Sequence, residues 1–398
     1  MRVAVVAEWY PSPADPVLGI WAHRQAVAAR DAGAEVRVLA LRRPIPPLSM
    51  FHLPPAIGQF GRWIEGARTS LRPLSLDGLS VTPVAFVAPP RPISYGSWGY
   101  WAAPPLARAL DRLYAEWPFD VVHAHSLAPA GHAAARWVRR RRSCAFVVSA
   151  HGPDMIHVAE NSSVGRRACV AAMAATDLVV ANSAWAAQRC EEIAGRSLPV
   201  RVIHLGADLT PVSFSSNGAV RMVTVAHLVA RKRHEVVLRA LAMIDPPRRP
   251  EYFVIGDGPC RAALERLAIQ LGVADRVRFL GQLDNREAVA RAAGCDLFVM
   301  PGVEEPFGVA FVEAMAAGLP AIGSRGEGGP EDIAAAGPGM VLVEPGDARE
   351  LAAVIERLTA DRSQLARLGA AARETVAANF TWERTGAETL AAYRAALR

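Results

Sequence analysis

Short β-rich runs alternate with longer amphipathic stretches along the 398 residues, and the alternation breaks once and restarts. Strands are predicted at 3–7, 35–41, 121–123, 145–149, 178–181 and 200–203, with a helix over 20–31. Around 206–219 the pattern dissolves into Gly, Pro, Ser and Asn, the composition of a linker. It resumes with strands at 221–226, 252–255, 277–279 and 297–300 and helices over 235–243, 260–271 and 309–317. Such alternation calls for parallel sheets covered by helices. The expected architecture is α/β: two doubly wound, Rossmann-like domains, 1–208 and 209–379, facing a central cleft that holds the site.

Composition removes several classes. Hydrophobic residues at 52% against 21% charged exclude a disordered chain, and no run of 18 apolar residues exists to span a bilayer. The apolar run at 3–7 is too short for a secretion signal and is followed by Glu8. The cysteines (144, 169, 190, 260, 295) are odd in number and show no Cys-x-x-Cys spacing. Neither a disulfide framework nor a zinc site is expected, and the chain is assigned to the reducing cytoplasm.

The positive excess lies in the first half: residues 1–208 carry 22 basic and 15 acidic side chains, the remainder 22 and 23. No nucleic-acid-binding module accompanies it, so no nucleic-acid partner is expected. The run Arg139-Arg140-Arg141-Arg142 reads as a solvated helix end, where cations complement the dipole. The other reading is peripheral contact with anionic lipid at the inner face of a membrane. Two Pro-rich stretches carry aromatics: 44–64 with Met50, Phe51, Phe60 and Trp63, and 89–105 with Tyr95, Trp98, Tyr100 and Trp101. Both are expected to be irregular loops, either folded back on the domain or forming an acceptor- or membrane-touching rim. Of 44 basic residues 43 are arginine, and the single lysine, Lys232, marks a position where a compact ammonium is wanted.

Residues 301–320, Pro-Gly-Val-Glu-Glu-Pro-Phe-Gly-Val-Ala-Phe-Val-Glu-Ala-Met-Ala-Ala-Gly-Leu-Pro, form the strongest motif. A buried strand runs into a loop, and a helix closed by Gly318 and Pro320 follows. The spacing puts Glu305 just before the helix and Glu313 about one turn inside it. The backbone N–H groups of Phe307, Gly308 and Val309 then form an anion site at the helix start. Carboxylates beside an anion site suit a sugar nucleotide, which has a diphosphate for the N–H groups and hydroxyls for the acids. The plainer alternative is that Glu313 stabilises its helix and Glu305 is solvated.

Glu305-x7-Glu313 in this context resembles the Glu-x7-Glu motif of the retaining glycosyltransferases of family four, which have the GT-B fold. The segment 225–232 resembles the family's diphosphate-binding block, where an Arg and a Lys stand five apart. Lys232 matches the lysine, and His227 replaces the arginine, with Arg231 and Arg233 close by. Val254–Pro259, Arg276–Gly281 and Gly326–Glu331 resemble further blocks in order and spacing. After Gly281, Gln282 and Leu283 match positions that meet the nucleobase. In the first half the resemblance is looser. Gly19 matches a glycine near the donor phosphate, and 122–125 and 149–154 match cleft blocks. These blocks place His151 near the anomeric centre and His125 and Asp154 on the acceptor side. At a strand end, His123 and His125 read equally as hydrogen-bonding residues. Segment 380–398 resembles the C-terminal helix that packs back at the domain junction, and the loop pattern near 44–92 resembles the bacterial surface-polysaccharide branch.

The resemblance implies a metal-independent hexosyl transfer from a UDP- or GDP-linked sugar to a glycan, lipid-linked or small-molecule acceptor, with retention and no cofactor. His151, Lys232 and Glu305 would serve catalysis. Gly19, His227, Arg231, Gln282, Leu283, Phe307, Gly308, Val309 and Glu313 would bind donor, Glu313 through the ribose. Other classes stay open. A sugar-nucleotide epimerase shares the fold, and a non-catalytic sugar-nucleotide binder would tolerate His227. A nicotinamide oxidoreductase is suggested only by Gly256-x-Gly258, whose third glycine is absent.

Overall fold

The computed structural model describes residues 1–46, 57–141, 143–210 and 219–398. Met50, Phe51, Arg142 and most of the expected linker, 211–218, lie outside the described residues, as does the side chain of Phe60. The chain divides into two compact units, Met1–His204 with Trp382–Arg398, and Leu205–Thr381.

The first unit runs β1 (Arg2–Ala7), α1 (Ile20–Asp31), β2 (Glu35–Arg42), α2 (Ile57–Ser70), β3 (Leu74–Leu76), β4 (Leu79–Ala85), α3 (Arg91–Ser94) and α4 (Trp98–Glu116). It continues through β5 (Val121–His125), α5 (His132–Val138), β6 (Ala145–Ala150), α6 (Ser163–Met173), β7 (Leu178–Ala181), α7 (Ala184–Ala194) and β8 (Val200–Val202). The sheet order is β3-β4-β2-β1-β5-β6-β7-β8, parallel throughout except for the β3–β4 pair. Alternate residues of β1 feed two cores: Ala4 and Val6 pack with Val122, Ala124 and Phe146, whereas Val3 and Val5 pack with Val121 and Val147. Both faces are covered, which explains why these strands read as unbroken apolar runs.

The second unit holds β9 (Arg221–Val225), α8 (His234–Met243), β10 (Glu251–Ile255), α9 (Arg261–Gln270), β11 (Val277–Gly281), α10 (Asn285–Ala293) and β12 (Leu297–Val299). After these come α11 (Val309–Ala316), β13 (Ala321–Ser324), α12 (Gly328–Ala336), β14 (Met340–Val343), α13 (Ala348–Thr359) and α14 (Arg362–Asn379). Its six strands are all parallel, in the order β11-β10-β9-β12-β13-β14. The chain then returns: α15 (Trp382–Ala396) packs against α1 in the first unit and places Leu390 and Tyr393 in the core beneath β1 and β5.

Two sequence expectations are corrected. Residues 89–105 are not an irregular loop, because α3 and the 19-residue α4 occupy most of them, with Pro104 and Pro105 inside α4. Trp98, Ala102, Leu106, Ala109 and Leu110 bury one stripe of α4, and this packing outweighs the amide hydrogen bonds that the prolines forfeit. Likewise 57–64 opens the helix α2. The strands β3 and β4 were not predicted at all. Pro83 in β4 pairs with Ala40 on one side, while β3 pairs only with Leu79, Ser80 and Val81, so the proline meets no ladder on its other side.

Candidate functional site

In the second unit the strand order reverses between the adjacent strands β9 and β12. Open α/β sheets bind ligands outside the carboxyl ends of the strands at such a point. The segments that leave β9 and β12 there carry the chain's single lysine and its Glu305. Lys232 and Glu305 form a buried ion pair, and the guanidinium of Arg231 lies 3.8 Å from the same carboxylate. Burial draws the Lys232 ammonium below the ordinary lysine value, against the pull of Glu305 upward. The two segments are stitched together by backbone as well. Val303 N–H donates to the Arg231 carbonyl at 2.7 Å, and Arg231 donates to the Glu304 carbonyl at 3.2 Å. Arg233 and Glu304, which flank the pair in sequence, both sit at φ 54°, a left-handed conformation costly for residues with a Cβ.

Glu305 is oriented from a third segment. Its N–H donates to the Glu327 carboxylate at 2.8 Å, and burial raises the pKa of Glu327. That approach depends on Gly329, where a Cβ would fall 1.7 Å from the Phe307 carbonyl oxygen. Gly308, at φ 80°, caps α11 and lies against Glu305, so a Cβ there would meet the Phe311 ring at 2.6 Å and Glu305 Cγ at 3.2 Å. Phe307 is buried, and Val309 begins the helix. Glu313, half-buried on α11, accepts from Asn285 Nδ2 at 3.2 Å. Asn285 begins α10, so this bond brings Glu313 towards the turn of Gln282 and Leu283, where Gln282 donates to the Leu283 carbonyl at 3.2 Å.

His227 is exposed, with Nδ1 3.4 Å from the Asp257 carbonyl. The neighbouring Gly256-x-Gly258 has a packing role. A Cβ on Gly256 would lie 2.0 Å from the Ala226 carbonyl oxygen, and one on Gly258 2.6 Å from that of Leu228. These glycines let the β9 and β10 turns touch.

The first unit gathers a separate cluster. His125 ends β5, and His151 follows the adjacent β6. His125 Nδ1 and His151 Nε2 are 3.1 Å apart, and the rings stack. Trp21 of α1 covers His151 at 4.0 Å between ring centroids. Gly19 caps α1 at φ 69°, where a Cβ would strike the Trp9 backbone at 2.2 Å. Burial holds His151 down to about 3 and His125 well below the ordinary histidine value, so both are neutral at pH 7. Asp154 is buried, and its carboxylate accepts from the backbone amides of Leu127, Gly152 and His151 at 2.7, 3.0 and 3.3 Å. It shapes the His151 turn. His123 is a hydrogen-bonding residue, held between Tyr393 Oη at 2.8 Å and Ser149 Oγ at 2.7 Å. Ser126, next to His125, has φ 79°.

Sequence reasoning gave no role to Glu327, Asn285 or Trp21. The Gly328-Gly329 pair beside Glu327 was the available signal for the first, since paired glycines mark a close backbone approach. Chemically, the second unit offers a compact cation held by a carboxylate, beside a helix N-terminus that favours anions. The first offers a neutral imidazole pair.

A family model described as glycosyl transferases group 1 matches residues 211–375, and one described as glycosyltransferase family 4 matches 18–210. A lipopolysaccharide core biosynthesis glycosyltransferase of Rhizobium meliloti is 32% identical over 52% of this chain and 61% of its own length. A GDP-mannose-dependent phosphatidylinositol monomannoside mannosyltransferase of Mycobacterium tuberculosis is 34% identical over 42% of this chain and 45% of its own. The matched stretches thus span only about half the length of such curated relatives. Among solved structures, a sucrose-phosphate synthase from Thermosynechococcus elongatus superposes with a TM-score of 0.79 at 21% identity, covering 99% of this chain and 98% of that one. A protein of Anabaena solved with UDP-glucose gives 0.69, also at 21% identity, over 98% and 99%. With the two family models adjoining at 210/211 and two parallel-sheet Rossmann-like domains in place, the chain belongs to the group 1, family-four glycosyltransferases of GT-B fold.

Proposed function

We propose that this chain transfers a sugar from a nucleoside-diphosphate sugar to an acceptor hydroxyl, with retention and without a metal. The observation that carries the reading is the buried Lys232–Glu305 pair at the strand-order reversal of the second unit. An ammonium already desolvated and aimed by a carboxylate is suited to the negative charge that grows on a departing diphosphate. Arg231 and the N-terminus of α11 add to the same field. Glu305 would hold sugar hydroxyls, and Glu313, steered by Asn285, would take the ribose. The bond from the anomeric carbon to the diphosphate breaks as the acceptor oxygen bonds from the same face, and the acceptor proton passes to a diphosphate oxygen.

Relatives named for lipopolysaccharide core and phosphatidylinositol monomannoside support a lipid-linked glycan acceptor. Contact with an anionic membrane is part of the proposal, and a patch on the first unit supports it. Tyr100 and Trp101 are 42% and 49% exposed, Arg136 stacks on Tyr100, and Arg139, Arg140 and Arg141 follow on the exposed end of α5. Among the described residues no helix is long and apolar enough to cross a membrane.

The test is a thermal-shift panel of UDP, GDP and their sugars, followed by product analysis with and without acceptor. Stabilisation by one nucleotide and a product with the donor's anomeric configuration are expected. Epimerised donor formed without acceptor would favour the epimerase instead, and binding without any turnover would favour a non-catalytic binder.

A further inference from the structure

Beside the histidine cluster, the first unit carries a pocket of about 600 Å³, within the range of small-molecule sites. Trp9, Arg91, Tyr95, His157, Asn161 and Ser162 line it. Trp9 follows β1, and His157 and Asn161 lie beyond β6, so the pocket opens at the carboxyl edge of the sheet, where His125 and His151 also stand.

The pocket's chemistry disfavours two ligand classes. The guanidinium of Arg91 lies 4.1 Å from the Tyr95 ring centroid and 5.2 Å from that of Trp9. A ligand cation would find these aromatic faces taken by a cation already. Nor is Arg91 a bare anion receptor. The Glu8 carboxylate stands 3.9 Å away and also accepts from Tyr95 Oη at 2.7 Å, so the positive charge is compensated from behind the wall. What remains are the ring surfaces that Arg91 leaves uncovered, a side-chain amide, a hydroxyl and an imidazole, the combination that packs against C–H faces and pairs with neutral hydroxyls.

The wall is also fixed in shape. A Cβ on Gly96 would lie 2.8 Å from Gly165 N and 2.9 Å from Ser162 Oγ. Ser162 caps α6 by accepting from Gly165 N–H at 3.1 Å. The turn after α3 is therefore seated on the start of α6 through two glycines, Gly96 and Gly165.

We infer that this pocket binds a neutral, hydroxyl-rich sugar unit of the acceptor, an assignment that rests on the glycosyl transfer proposed above. The same features make an acidic sugar or a free phosphate poor occupants.

Saturation-transfer NMR with methyl glycosides of glucose, mannose and galactose and with myo-inositol tests the assignment on the whole chain. At least one should bind, and Asn161→Ala and Trp9→Leu should each weaken it by about fivefold or more, as expected for one hydrogen bond or one ring contact. Asn161 is exposed, so its variant should fold as the wild type does. Failure of all four probes, binding insensitive to both variants, or displacement by inorganic phosphate or tetramethylammonium would each overturn the assignment. Thermal shift with UDP and GDP on the same samples separates the two readings. Nucleotide binding with no glycoside binding overturns the pocket alone. Glycoside binding that responds to the variants, with no nucleotide binding, sustains the pocket and overturns the transfer reaction.

Discussion

His125 and His151 share a single hydrogen bond, Nδ1 to Nε2 at 3.1 Å, between rings parallel to within 9°. Each neutral imidazole has one N–H, and one of the two donates within the pair. The pair therefore always presents one lone pair and one N–H outward, at His125 Nε2 and His151 Nδ1. Both are buried with no partner among the described residues. Swapping the tautomers exchanges the two roles without creating a charge.

Burial makes the histidine cluster sensitive to acid. His123 and His151 are held to about 3, against 6.5 for an ordinary histidine. Between those values the unfolded chain binds more protons than the folded one, so stability present above pH 6.5 is lost as pH falls through the window. The loss is up to about 1.4 kcal/mol per pH unit for each histidine. Glu8 and Asp154, whose burial raises their pKa, act in the opposite sense nearer the carboxylate range. Thermal unfolding from pH 7 to 5 should show a falling midpoint, with a shallower slope in His151→Gln. A parallel slope would refute the burial argument.

Lys232→Ala should cost about 2.7–4 kcal/mol in turnover, the scale of one donor to a developing oxyanion. Lys232→Arg should also be impaired. Lys232 is only 9% exposed, and Gly302 packs on its backbone, which leaves little space for a planar guanidinium. Donor turnover at saturating acceptor measures both, and a near wild-type rate for Lys232→Ala would remove Lys232 from the mechanism.

Glu313→Ala should weaken donor binding more than it slows the chemical step, because ribose contacts act alike in ground and transition states. The readout is donor affinity by calorimetry beside kcat. Unchanged affinity with collapsed kcat would reassign Glu313 to the reacting centre.

Gly329→Ala should destabilise the second unit by at least about 3 kcal/mol, since the new Cβ has nowhere to go against Phe307. Gly346→Ala is the matched control. It has φ 82° but open space, and should cost only about 1–2 kcal/mol from the backbone alone. Denaturant unfolding of both variants distinguishes contact from conformation.

Transfer activity should survive EDTA, with Lys232 and the α11 N-terminus answering the diphosphate charge. Loss of turnover that returns on adding magnesium or manganese would overturn metal independence.

The strands β5, β6 and β7 were legible because both of their faces are buried, so every position is apolar. The strands β3 and β4 were hidden because a proline and a partly exposed edge erase that signal. The helix α4 was hidden because Pro104 and Pro105 outweigh its burial stripe when the sequence is read locally. Lys232 and Glu305 stand out by rarity and by motif, and they lie together in the structure. Glu327, Asn285 and Trp21 carry no such mark. Their roles come from approaches between segments, such as Gly329 onto Phe307, that only tertiary packing creates. The pairing of His125 with His151 depends on strand register, since His125 sits opposite Ser149, two residues before His151.

Tyr393 reaches His123 across 270 positions of sequence, and Gln25 is met by Thr389 and the His204 carbonyl by Thr385 from the same helix. On a ribosome, residues 205–381 emerge before that helix exists. The first unit must therefore wait, its histidine network open and the core beneath β1 uncovered, while the second unit is translated and is free to fold. The usual order, in which the N-terminal domain finishes first, is inverted. During that interval the unfinished sheet face is what a chaperone would see, and the closing of α15 is the event that ends its exposure.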